Sequence, residues 1–180
     1  MKGCITGRRR ILPAIVALIG VLMGVVPLAF GQHRRTDEYE VKANFLVNFA
    51  RFVTWPSTED PLVLAVVGVD PFGPYLDSIV RGKTVNGRNI VVRRLQRGDS
   101  LDGTHVVFVS ESESARTAEI LDGTRREPVL TVGETPRFLR DGGMIRLLVE
   151  DDRVRFQIDA HRAEAAGLRV SSQLLSLAAR

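Results

Sequence analysis

From residue 62 onward, short valine-rich runs alternate with stretches of helical character, and few folds accommodate that pattern. The first run, LVLAVVG from Leu62 to Gly68, is apolar without a break and too short for a buried helix, so it reads as a strand covered on both faces. Asp70-Pro71 follows and can cap and start a helix through Val80. Further strands are expected at Asn89–Leu95, His105–Ser110 and Pro128–Val132, with a helix from Ser112 to Leu121 stopped at Asp122-Gly123. The alternation predicts an α/β fold: one compact domain with a mostly parallel central sheet flanked by helices.

The two ends of the chain differ from this middle. Asp37 to Val53 reads as a helix in which Asp37, Glu40, Asn44, Asn48, Arg51 and Thr54 share a polar sector of about 120°, broken only by Val47. So narrow a stripe implies burial on more than one side, and Trp55-Pro56 is expected to end the helix. Met144–Glu150 and Arg153–Ile158 flank Asp151-Asp152 and predict a C-terminal β-hairpin. Ala160–Ala166 then reads as a helix stopped by Gly167, and Ser171 or Ser172 can cap a last one.

Ahead of all this lies a leader. Lys2, Arg8, Arg9 and Arg10 precede an apolar stretch from Ile11 to Phe30, and Ala29-Phe30-Gly31 provides small residues where a signal peptidase cuts. Residues 1–31 are therefore expected to be a cleaved secretory signal, with residues 32–180 as the mature domain. Pro13, Gly20, Gly24 and Pro27 make the alternative, a retained anchor, a poor permanent helix. Removing the leader's four basic residues from the chain's 25 leaves 21, balanced by 21 acids. A neutral body argues against nucleic-acid binding and against a polybasic membrane surface, since both need a cationic excess. The single cysteine, Cys4, lies in the leader, so the mature domain has no disulfide, thiolate metal site or cysteine nucleophile.

Catalytic signatures are sparse. Gly82-Lys83-Thr84 resembles the end of a phosphate loop but lacks its partner glycine, and Gly68 to Gly73 reads as an ordinary strand-to-helix turn. No G-x-S-x-G elbow surrounds any serine, and His33, His105 and His161 are spaced too widely for a local metal motif. His105, at the start of an apolar strand, is expected to be a hydrogen-bonded structural histidine. No catalytic residue, cofactor site or metal site is expected, and the chain reads as a non-enzyme. Arg146, Arg153, Arg155 and Arg169 crowd the C-terminal strands, where they can pair with nearby acids or receive an acidic partner.

Four segments together resemble the YfiR-type periplasmic regulators: KANFLVNFARFVTWP (Lys42–Pro56), THVVFVS (Thr104–Ser110), GGMIRLLVEDDRVRFQID (Gly142–Asp159) and AGLRVSSQLLSLA (Ala166–Ala178). The resemblance implies export to the periplasm of a Gram-negative bacterium and a homodimer. It also implies a role as a brake that binds the periplasmic sensory domain of an inner-membrane diguanylate cyclase, lowering cyclic di-GMP and biofilm output. Membrane contact is then expected only through that partner or an uncleaved leader. Many members carry a cysteine directly before the histidine of the second segment; here that position is Thr104, which makes thiol-based release doubtful. On this reading the partner face is expected at Glu150, Arg153, Phe156, Arg169 and Gln173, with Arg51 and Trp55 as a second patch. The competing reading is a periplasmic small-ligand or envelope-assembly binding module without a cyclase partner.

Overall fold

A computed structural model describes residues 29–179, so the expected leader lies almost entirely outside the described residues. Residues from Thr36 onward belong to one compact unit. None of the described helices is long and apolar enough to cross a membrane.

The valine-rich runs are the middle of a seven-stranded sheet. Its strands are β2 (Leu62–Val67), β3 (Thr84–Val85), β4 (Arg88–Leu95), β5 (Val106–Val109), β6 (Leu130–Gly133), β7 (Ile145–Glu150) and β8 (Arg153–Ile158). Their order is β3-β4-β2-β5-β6-β7-β8. Pairing is parallel from β4 through β7 and antiparallel at both margins, β3 with β4 and β7 with β8. Every residue of β5 and β6 is buried, whereas β7 and β8 alternate and become exposed toward their turn. Continuous apolar runs thus occupy the centre and alternating ones the margin, as two-sided and one-sided burial require.

Helices cover the two faces unequally. On the first face lies the larger core, into which α1 (Ala29–Phe52), α2 (Pro74–Val80), α4 (Ala160–Ala165) and α5 (Ser172–Leu177) send Phe49, Leu76, Ala163 and Leu174. The second face carries a smaller core of Val67, Leu95, Val107, Val109 and Phe138, closed by Ile120 and Leu121 of α3 (Thr117–Gly123). Phe138 is fully buried between Gly133 and Gly143, where a Cβ on either glycine would overlap its ring.

Several boundaries moved, each for a local reason. The helix expected from Asp70 begins at Pro74, because Asp70 Oδ1 accepts from the Phe72 N–H at 2.7 Å and Gly73 adopts φ 53°, holding the chain in a turn. The helix expected from Ser112 divides into a 3-10 segment, Glu111–Arg116, and α3, with a non-helical junction at Arg116. α1 ends at Phe52, ahead of Trp55-Pro56, because Val53 and Thr54 form β1 (Val53–Thr54), which pairs with β9 (Arg169–Val170). The hairpin turn is as expected: Asp151 and Asp152 both have positive φ, at 49° and 57°, as a two-residue turn matching the strand twist demands. Asp159 caps α4 and Ser171 caps α5, each accepting a backbone N–H three residues on.

Candidate partner surface

Strand parity divides the expected partner residues. In the hairpin, Leu147 pairs with Phe156 and Val149 with Val154, and Leu147 and Phe156 belong to the first-face core. Glu150 and Arg153, Leu148 and Arg155, and Arg146 and Gln157 are the intervening pairs, so they share the opposite face. Phe156 is 3% exposed, its ring centroid 5.0 Å from that of Phe49 and 5.7 Å from that of Phe45. Trp55 is 6% exposed and donates its Nε1–H to the His105 carbonyl at 3.3 Å. Phe156 and Trp55 are therefore core residues. Their expected place on a partner face is corrected, because neither ring reaches the surface of the folded chain.

The remaining residues fall in two places. Glu150, Arg153 and Arg155 are exposed on the second face of the hairpin, with Arg155 Nε 3.7 Å from Glu150 Oε2. Arg146, half-buried beside them, donates to Gln157 Oε1 at 3.4 Å, and its Nε has no partner. The row thus holds three arginines against one glutamate. Arg169 pairs with Thr54 across β1–β9, so its register joins it to the end of α1, which carries the exposed Arg51, and not to the hairpin. Gln173 is exposed on α5, and Leu174 beside it packs into the first-face core.

Other candidates resolve into structure. His105 Nδ1 faces the Val63 N–H at 3.1 Å, and its Nε2 lies 2.6 Å from a guanidinium nitrogen of Arg88. Both ring nitrogens meet donors, yet a neutral imidazole can accept at one only, and imidazolium at neither. Burial, reinforced by the Arg88 charge and opposed weakly by Glu59, holds His105 below its ordinary pKa. A depressed folded pKa contributes stability that is complete above the unfolded value, about 6.5, and is lost as pH falls through the folded one. Urea unfolding from about pH 7.5 down to about pH 4.5 is expected to show this loss, and His105→Gln is expected to flatten it. Parallel pH profiles for the two proteins would remove His105 from the account.

At the Gly68 turn the first two backbone donors are already bonded. Gly68 N–H reaches the Leu95 carbonyl at 3.0 Å, Val69 N–H reaches Ser112 Oγ at 3.0 Å, and α2 opens on Pro74, which has no N–H to offer. Among the described residues no cluster of His, Cys, Asp or Glu has the makings of a metal site.

One charged cluster escaped the sequence reading. Lys42, on α1, is 4% exposed and lies 2.5 Å from both Glu134 and Glu38, while the Tyr39 hydroxyl donates to Glu134 at 3.1 Å. Burial opposes the ammonium charge, but the hydrogen bonds to Glu134 and Glu38, with the charges of Glu134 and Tyr39, outweigh it and raise the Lys42 pKa. Its signal was present: Lys42 sits outside the polar stripe of its helix, where a lysine needs a buried anion.

A family model described as YfiR/HmsC-like matches residues 39–179. The chain belongs to the YfiR/HmsC-like family. The match runs from Tyr39 of α1 to the segment beyond α5, so the sheet and both of its cores lie within it. This is a regulatory family associated with diguanylate cyclase control, and in general a periplasmic one.

Proposed function

We propose that this YfiR/HmsC-like chain is exported by residues 1–31 and restrains an inner-membrane diguanylate cyclase by binding its periplasmic sensory domain. Family membership over residues 39–179 carries the reading. The contact we assign is the second face of the hairpin, where Arg146, Arg153 and Arg155 outnumber Glu150. Guanidinium groups of this kind suit an acidic patch on the cyclase, pairing with carboxylates in bidentate geometry. Repression then needs only tighter binding to the cyclase's inactive conformation, with a coupling energy of about 1–3 kcal/mol.

The test is cellular cyclic di-GMP in a deletion strain complemented by the full chain or by one lacking residues 1–31. A rise on deletion, reversed only by the full chain, is the expected result. No change across growth conditions would sink the cyclase reading. Within the complemented strain, Arg153→Glu with Arg155→Glu is expected to relieve repression and move the melting temperature little, because both side chains are exposed. Phe156→Ala is expected to lower melting strongly, as a core truncation does. If the arginine double variant represses normally, the contact surface lies elsewhere.

A further inference from the structure

Val67 and Leu95 are the last residues of the parallel pair β2 and β4 and stand opposite each other in register. Beyond them, between the Gln96–Leu101 loop and α3, lies a cavity of about 180 Å³ whose apolar floor is Val67, Leu95, Leu101 and Ile120. Ligands of doubly wound sheets bind outside the carboxyl ends of the strands, by preference where the chain reverses its direction of travel across the sheet. Here that reversal falls between β2 and β5, and the crevice is closed: Ser112 and Glu113 pack so tightly on Gly68 that a Cβ there would overlap both. The open space is one strand pair over.

Its wall is held in place. Asp99 Oδ2 accepts from the Gln96 N–H at 2.7 Å, Arg93 donates to the Ser100 and Asp102 carbonyls, and Thr104 Oγ1 donates to the Leu101 carbonyl at 2.6 Å. The charged rim is mostly engaged. Arg116 is bonded by Glu113 and Glu119, and the Asp99 carboxylate is occupied as described. Arg97 alone among the charged groups of the rim is exposed with no hydrogen-bond or ion-pair partner among the described residues, although its charge acts on Glu119.

We infer that this cavity binds a small apolar carboxylate, its ring or short chain on the Val67–Leu95–Leu101–Ile120 floor and its carboxylate on Arg97. An apolar floor excludes a purely polar ligand, and a rim whose one charge outside an ion pair or hydrogen bond is cationic selects an anionic head. A cavity of about 150 Å³ is enough to take benzene, so a single ring fits. The inference stands apart from the cyclase reading, because β5 and β6 separate the strands under this cavity from the hairpin and no partner is needed to test it.

The probe is benzoate titrated into the ¹⁵N-labelled full chain, following the amides of Gly98, Leu101 and Gly123. Saturable shifts with a Kd on the order of 1 mM are expected for so few ligand atoms. Acetate, which has the charge without the ring, and benzyl alcohol, which has the ring without the charge, should each bind at least about tenfold more weakly. Arg97→Gln should reduce benzoate to the level of benzyl alcohol, and Leu101→Trp should fill the cavity and abolish the shifts. Arg97 is an exposed loop residue, so its variant tests the site even if the tryptophan variant folds poorly. Absence of saturable shifts at these amides overturns the inference. So does acetate binding as well as benzoate, which would mark an adventitious ion on Arg97, or an Arg97→Gln protein that binds benzoate normally.

Discussion

Truncating Phe49 to alanine should cost about 3–5 kcal/mol of stability. Phe49 is fully buried on α1, and its ring meets Phe45 at 5.7 Å and Phe156 at 5.0 Å between centroids, the latter edge-on. The helix and the C-terminal hairpin are thus joined through one aromatic cluster. Removing the central ring forfeits its burial, leaves a cavity and frees two neighbours, because a packed interior relaxes only in part. Denaturant unfolding with an unchanged m-value and a lowered midpoint is the readout. A melting point within a degree or two of the parent would contradict the placement of Phe49 at the centre of the core.

A loss of similar size is expected from Lys42→Ala, for an electrostatic reason. Glu134 would keep its charge in a site only 8% exposed at the side chain and lose the ammonium 2.5 Å away. Breaking a buried pair from one side costs about 3–5 kcal/mol, much more than an exposed pair contributes. Replacing both charges, Lys42→Met with Glu134→Gln, should recover most of that loss, since the carboxylate left behind, Glu38, is 28% exposed at the side chain and reaches water, and the amide oxygen still accepts from Tyr39. If the double variant is no more stable than Lys42→Ala, the single loss reflects packing of the lysine stem. The raised Lys42 pKa adds an alkaline signature: its contribution is complete below about pH 10.4 and is lost as pH rises through the folded value.

How legible each part was depended on how far apart its determinants lie in the chain. Leu62–Val67, Val106–Val109 and Leu130–Gly133 were readable because two-sided burial leaves a local mark, an unbroken apolar run. The Asp151-Asp152 turn and the Ser171 cap were readable because they depend on the chemistry of two or three neighbouring residues. The separation of Arg153 from Phe156 was legible too: residues three apart on a strand point to opposite faces, so one patch could not hold both. Grouping them by nearness in sequence overlooked that parity. The strands β1, β3 and β9 went unread because each is two residues long and exists through pairing rather than through a pattern of its own.

By itself the sequence determined the α/β class, the buried central strands, the hairpin, the structural character of His105 and the family. Tertiary structure alone decided the strand order, the helix-poor second face and the position of each charged group. Lys42 finds Glu134 across 92 residues, Arg88 reaches His105 across 17, and the floor of the cavity gathers Val67, Leu95, Leu101 and Ile120 from two strands, a loop and a helix. Hydrophobic periodicity reports whether a residue is buried, because burial repeats with the geometry of its own element. It carries no record of which distant element does the burying, and partner, ligand and ion-pair surfaces are made of those distant meetings.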